Sequence, residues 1–441
     1  WDMRVFLCGP SMLPDSDFRH KAISVNGDDS IVATTKPRAN ESISPTNTVL
    51  ATDTPQLKQH IDHVSMVEQH ENLDVVLEPE TASSSYGESE GKSQEQTINL
   101  GTNLLTGADV SWPITIKGNP HLLLAGLPGM GKTTCLINIC RQMLDSGVKP
   151  IVFSYHEDID ERLANVVPSI RFLDFQGLGF NPLQVIDRDS RRAYLDVSGA
   201  IRDIFVAIYP ELGDIQGEHI RRAIKESFIE LGWDDPNANL TTLPEPPFRR
   251  FVDILRADPK PDRGLRTLLG RLTELDDYGF FNLAESHESL WESEQPIIVR
   301  IHTTQNDNLQ KAFASLVFYG LYKDMFRRGI QQRITHAIIF DEAHRASRLQ
   351  LIPTMAKECR KYGISLVIAS QEAKDFNNSL FSAIANYLVL RLNETDAKAL
   401  VRNVASSDQE RFLIDRIKQM DRFKAIYFSE GNKKPSLLAL P

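Results

Sequence analysis

The 441 residues are 24% charged and 41% hydrophobic with a formal net charge of -10, which excludes a fibre or a wholly disordered chain and allows more than one domain. The acidity is concentrated: residues 1–98 hold 7 Lys+Arg against 16 Asp+Glu, leaving 42 against 43 for residues 99–441. The larger part is nearly neutral, so the total charge does not exclude a polyanionic partner for it.

The four cysteines, Cys8, Cys135, Cys140 and Cys359, form no CxxC pair. That argues against a disulfide scaffold or a zinc ribbon and fits a reducing cytoplasm, the expected location. No apolar run reaches the roughly 18–20 residues of a membrane helix. Residues 1–26 carry one short apolar run, Val5–Cys8, read as a strand at the end of an upstream domain. The start at Trp1 marks the chain as a fragment or processed form. Residues 27–98 are rich in Ser, Thr, Asn, Glu, Gln and Pro. They bury too little apolar surface to offset ordering entropy and read as an acidic, mostly disordered linker. A helical face within Gln56–His70 (Leu57, Ile61, Val64) is too short to stand alone.

From residue 99 to 441 the pattern is α/β. Apolar runs at Pro113–Ile116, His121–Ala125, Ile151–Tyr155, Ile297–Ile301, Ala337–Phe340, Ser365–Ala369 and Tyr387–Leu390 read as strands. Several are continuous, as strands buried on both faces are. Helical periodicity lies between them, at Thr133–Leu144, Leu309–Arg328 and Leu351–Tyr362. The expected fold is a RecA-like P-loop NTPase core with a mainly parallel sheet. Over about residues 187–292 strands are scarce, and segments such as Arg191–Ile208 and His219–Leu231 predict an α-helical insertion.

Gly126-Leu-Pro-Gly129-Met130-Gly131-Lys132-Thr133-Thr134 fits GxxxxGK[ST] without a mismatch, after a strand and before a helix. In such a loop the glycines turn backbone N–H groups toward phosphate oxygens, beside a helix N-terminus. Lys132 is expected on the β and γ phosphates of ATP, and the Thr133 hydroxyl on Mg²⁺. Ala337–Phe340 ends in Asp341 and Glu342, which places carboxylates at the ligand-binding edge of an open α/β sheet. Asp341 is expected to hold Mg²⁺, and Glu342 to polarise the attacking water. The next strand ends at Gln371, a candidate sensor of the γ phosphate. Arg360, ahead of that strand, is a candidate arginine finger for a neighbouring subunit, and Arg391 a second such contact. His156-Glu157-Asp158 lacks a zinc-protease spacing and reads as a loop near the nucleotide edge; Asn181-Pro182-Leu183 reads as a turn. The basic pairs Arg191-Arg192, Arg221-Arg222, Arg249-Arg250 and Arg327-Arg328 read as solvated helix faces.

On the phosphate loop with its approach Asn119–Ala125, on Phe340–His344, and on Arg360–Ile364 followed by Ala369-Ser370-Gln371, the chain from about Leu100 resembles the HerA/FtsK superfamily of ring-shaped DNA motors. Within it the chain is most similar to the DptH-type ATPases of bacterial DNA-phosphorothioation-dependent restriction. Two departures stand out. The loop reads Leu-Pro-Gly-Met where such motors often have Thr-Gly-Ser, and Cys359 stands where Gly is usual. Neither removes a catalytic side chain. The resemblance implies a homo-oligomer, a hexameric ring, that hydrolyses ATP at subunit interfaces and translocates on or remodels double-stranded DNA. It also implies an anti-phage restriction system whose other subunits include a nuclease. Two alternatives stay open. One is a NACHT/NB-ARC-like nucleotide switch, which the same loop would suit; the other is a conjugative coupling ATPase of related fold.

Overall fold

Continuous apolar runs need cover on both faces, and the computed structural model gives them that cover. It describes residues 96–167, 169–174, 181–282, 289–343, 351–376, 378–429 and 434–441. The expectations for residues 1–26, for most of 27–98 and for the weak helix at Gln56–His70 lie outside the described residues.

Eleven strands among these form one sheet: β1 (Thr97–Asn103), β2 (Asp109–Pro113), β3 (Leu122–Ala125), β4 (Lys149–Ser154), β5 (Arg171–Leu173), β6 (Ile297–Arg300), β7 (His336–Phe340), β8 (Ile364–Ser370), β9 (Asn386–Val389), β10 (Lys424–Phe428) and β11 (Ser436–Ala439). The order is β2-β1-β11-β10-β9-β3-β8-β7-β4-β6-β5. From β9 to β5 every neighbouring pair is parallel. On the other side of β9 the pairing turns antiparallel. The fold is thus mixed α/β with a mostly parallel sheet, as the sequence predicts.

The strand expected at Pro113–Ile116 sits earlier and ends at Pro113. β2 is an edge strand with Trp112 as its buried anchor, and a proline there lacks the N–H to continue a ladder.

Alternate residues feed two cores. Leu122 and Leu124 point to one face, with Leu136, Ile139 and Met143 of helix α1 (Lys132–Asp145). Leu123 and Ala125 point to the other, with helix α7 (Asp307–Met325) and the helices that follow it. Phe340 at the end of β7 stacks on Phe153 of β4 at 4.5 Å and meets Phe318 of α7 edge-on at 5.3 Å. Three buried rings thus fix the strand end that carries Asp341, each contributing roughly 1.5–3 kcal/mol of burial.

Helix α2 (Glu157–Ala164) follows β4. Between β5 and β6 lie α3 (Ala193–Ile208), α4 (Asp214–Ile229), α5 (Arg250–Arg256) and α6 (Arg263–Asp277). They close around their own ring cluster, in which Phe205, Phe248, Phe251 and Phe281 touch one another, and α3 packs on α7. After β7 come α8 (Leu351–Glu358), α9 (Asn378–Ala383), α10 (Glu394–Val404) and α11 (Glu410–Lys418). Among the described residues no helix is long and apolar enough to cross a membrane.

Candidate active site

β3 delivers the chain into the glycine loop between its two parallel neighbours. Gly126 N–H donates to the Ser370 carbonyl of β8 at 3.1 Å, and Leu127 N–H donates to the Arg391 carbonyl, just past β9, at 2.8 Å. Gly129 and Gly131 hold φ of 75° and 110°, conformations that side chains rarely adopt. Gly131 caps α1 with no side-chain hydrogen bond and no acidic residue in the first turn. The first-turn N–H groups therefore keep their partial positive charge. The Met130 side chain packs against the apolar core, so the loop offers backbone there.

Lys132 is buried and its Nζ donates to the Gly126 carbonyl at 2.8 Å. Burial lowers its pKa, against the opposing pull of Glu342 and Asp341. Those carboxylates leave the tip of β7, 3% and 4% exposed. Burial, then the Glu342 charge, pushes the Asp341 carboxyl up to about 7, with Lys132 acting the other way. Glu342 has φ of 57° and accepts a hydrogen bond from Gln371 Nε2. Gly129, Gly131, Lys132, Thr133, Thr134, Asp341, Glu342 and Gln371 line one cleft. The structure thus brings together side chains from β3–α1, β7 and β8 that are up to 242 positions apart in sequence.

The site fits a magnesium nucleotide. The glycine cradle and uncapped helix start suit phosphate oxygens. Two buried carboxylates, one with a raised pKa, suit a cation. Among the described residues no group of three or more His, Cys, Asp or Glu could hold a metal. Mg²⁺ takes one or two protein ligands and completes its shell with phosphate and water. The Thr133 hydroxyl and the Asp341 carboxylate, both lining this cleft, are the donors that would hold it.

Arg360 lies elsewhere. It precedes β8, at the N-terminal edge of the parallel strands, and donates to the Gly118 carbonyl at 2.8 Å. Seven residues of β8 separate it from Gln371, about 20 Å at strand rise. Its own phosphate loop is out of reach. Arg391 is on the loop's own edge, where its carbonyl holds Leu127.

Four polar residues outside the phosphate-loop and strand-end motifs also line the cleft. His156 and Asp158, expected in a loop, are the cap and first turn of α2. Arg162, one turn on, donates to Thr134 Oγ1 at 2.9 Å; the apolar run ending at Tyr155 put this helix at the same sheet edge and was the available signal. Arg422, at the start of β10, lines the cleft too. Its strand has no signal beyond Ala425–Phe428, so it was not legible.

Two of the insertion's three basic pairs are held by internal ion pairs. Arg221 pairs with Glu218 at 2.7 Å, Arg249 with Asp276 at 2.6 Å and Arg250 with Glu230 at 2.7 Å. These guanidiniums already have carboxylates, which agrees with solvated helix faces and not a phosphate-binding patch.

No family model matches the chain. It is similar to the DNA double-strand break repair helicase HerA of Sulfurisphaera tokodaii, 21% identical over 383 residues, 78% of this chain and 69% of that protein. The same-named protein of Saccharolobus solfataricus is 22% identical over 371 residues, 79% and 69% of the two chains. Among solved structures, VirB4 of Thermoanaerobacter pseudethanolicus aligns with a TM-score of 0.63 at 19% identity, covering 78% of this chain and 96% of that one. The plasmid coupling protein TrwB in complex with ADP and Mg²⁺ aligns with a TM-score of 0.52 at 13% identity, covering 73% and 85%. The chain is thus similar in sequence to HerA helicases, and it shares its fold with VirB4 and TrwB.

Proposed function

We propose that the chain is a magnesium-dependent ATPase that drives a motor on double-stranded DNA. One observation carries the reading: Lys132, Thr133, Asp341, Glu342 and Gln371 converge in a single cleft around a glycine-cradled helix start. Mg²⁺, held by Thr133 and Asp341, would supply neutralising charge at the phosphates. Lys132 binds the phosphate oxygens. Glu342 orients the attacking water and draws on its proton, and Gln371 holds the Glu342 carboxylate. Arg360, exposed at the far edge, is assigned to a neighbouring subunit's site, which needs an oligomer, a hexameric ring by resemblance. Arg391 sits at its own loop's edge, so any contact it makes with a neighbour would come from the loop side and not from the far edge that carries Arg360.

The narrower placing, in a phosphorothioation-dependent restriction system with a nuclease partner in the bacterial cytoplasm, rests on sequence resemblance alone. The VirB4 and TrwB likeness favours a second reading, a conjugative coupling ATPase. Fractionation of the native protein separates the two, since a membrane-bound protein belongs to the second.

The test is the ATPase rate with and without double-stranded DNA for wild type, Lys132→Ala and Glu342→Gln. We expect DNA to stimulate the wild type and both variants to lose turnover. A rate indifferent to DNA in an assembled oligomer rejects the motor and leaves the nucleotide switch.

A further inference from the structure

The phosphate loop has a neighbour outside its motifs. The turn Asp421–Lys424 enters β10 at the same sheet edge, and Arg422 lines the same cleft as Gly129, Lys132, Thr133 and Thr134. Its guanidinium lies 4.7 Å over the Phe423 ring. That ring rests on the loop: a Cβ on Gly131 would meet it at 2.7 Å. Phe423 N–H donates to the Met130 carbonyl at 3.1 Å, and its carbonyl accepts from Leu440 N–H at 2.9 Å.

Phe423 has φ of 58°, rare for a bulky residue and kept only where the surroundings over-determine it. Unlike Arg221, Arg249 and Arg250, Arg422 has no ion pair among the described residues. An exposed, unpaired cation is thus fixed by a strained aromatic that is itself bolted to the phosphate loop.

The strand order gives its direction. β9 and β10 lie on one side of β3, and β8 and β7 on the other. Arg422 and the Glu342–Gln371 pair therefore flank the loop from opposite sides. Hydrolysis requires the terminal phosphate near Glu342. The rest of the nucleotide extends away from that pair, toward β10.

We infer that Arg422 is a nucleotide-binding residue acting within its own subunit on the part that ATP and ADP share, with Phe423 as its positioning residue. This rests on the ATPase reading above. The test is titration of ATP and of ADP, each with Mg²⁺, into wild type, Arg422→Ala and Phe423→Gly, with thermal melts of all three without nucleotide. Loss of one charge-assisted hydrogen bond predicts that Arg422→Ala weakens both nucleotides by about tenfold. Phe423→Gly should weaken both in the same direction, while glycine, at ease at positive φ, keeps the melt close to wild type. Unchanged affinity in Arg422→Ala, or a loss confined to ATP, overturns the inference and leaves the ATPase reading standing. A wild type that binds neither nucleotide removes both.

Discussion

Glu342 stands in a left-handed backbone conformation that costs a non-glycine residue about 1–3 kcal/mol. The strain is held by what surrounds it: the ring stack under Phe340 and the hydrogen bond from Gln371. Glycine or asparagine would sit here with less strain, which fits the proposal that the carboxylate serves the chemistry. Glu342→Gln should leave ATP affinity near wild type and reduce turnover by about 100-fold or more, read from binding titration beside steady-state rates. Gln371→Ala should cost about tenfold in turnover, since Glu342 survives but loses its holder. An equal loss of binding in Glu342→Gln would assign that residue to phosphate or metal contact instead. The carboxylates were legible in sequence because four apolar residues ending in two acids describe a buried strand tip. The Gln371 contact was legible only as a role at a strand end. The backbone strain was not legible, because it arises from packing between β4, β7 and α7 and leaves no mark in the local sequence.

At the scale of elements, the parallel strands showed as continuous apolar runs, while β1, β5, β10 and β11 did not. β5 is three residues long, and β1, β10 and β11 belong to the antiparallel side, where polar residues alternate with buried ones or the flanks are polar. The junction between the insertion and α7 was equally hidden, and it holds a half-buried lysine. Lys323 of α7 donates to the Gln184 carbonyl and lies 4.9 Å over the Tyr319 ring. Desolvation pushes its pKa down to about 7, against Glu245 and Asp324, which favour the charge. Glu245 is engaged by Arg188, so it only partly offsets that burial. The unfolded lysine binds its proton up to about 10.4. Between about 7 and that value the unfolded state holds more protons than the folded one. Stability should therefore rise with pH across this window, and fall as pH drops toward 7. Lys323→Met, similar in length and without a charge, should flatten that slope and stabilise the protein at pH 7 by about 1–3 kcal/mol. Thermal melts from pH 7 to 10 check both. A variant with the wild-type slope would show that another group sets it.

The whole molecule presents two opposed edges. The phosphate loop, Asp341, Glu342, Gln371 and Arg422 gather where the parallel strands end, and Arg360 stands where β8 begins. No motion within one rigid sheet closes a gap of about 20 Å along a strand. If Arg360 takes part in hydrolysis, the phosphate it meets belongs to another copy. That arrangement is heterologous: one subunit's far edge faces the next subunit's loop, and such contacts form a ring where the rotation between subunits closes. The prediction is quantitative. Arg360→Ala subunits keep their own loop and lack the finger, while Lys132→Ala subunits keep the finger and lack a working loop. Each alone should be inactive with DNA. Mixed in equal amounts with random assembly, an active interface needs an Arg360→Ala loop beside a Lys132→Ala finger. About a quarter of interfaces meet that condition, so about a quarter of the wild-type rate should return if sites fire independently. A smaller recovery that varies steeply with the mixing ratio, and so with the fraction of competent interfaces, would mean the sites fire in concert. No recovery, with mixed assembly verified by a tagged pull-down, would make the Gly118 contact the whole role of Arg360.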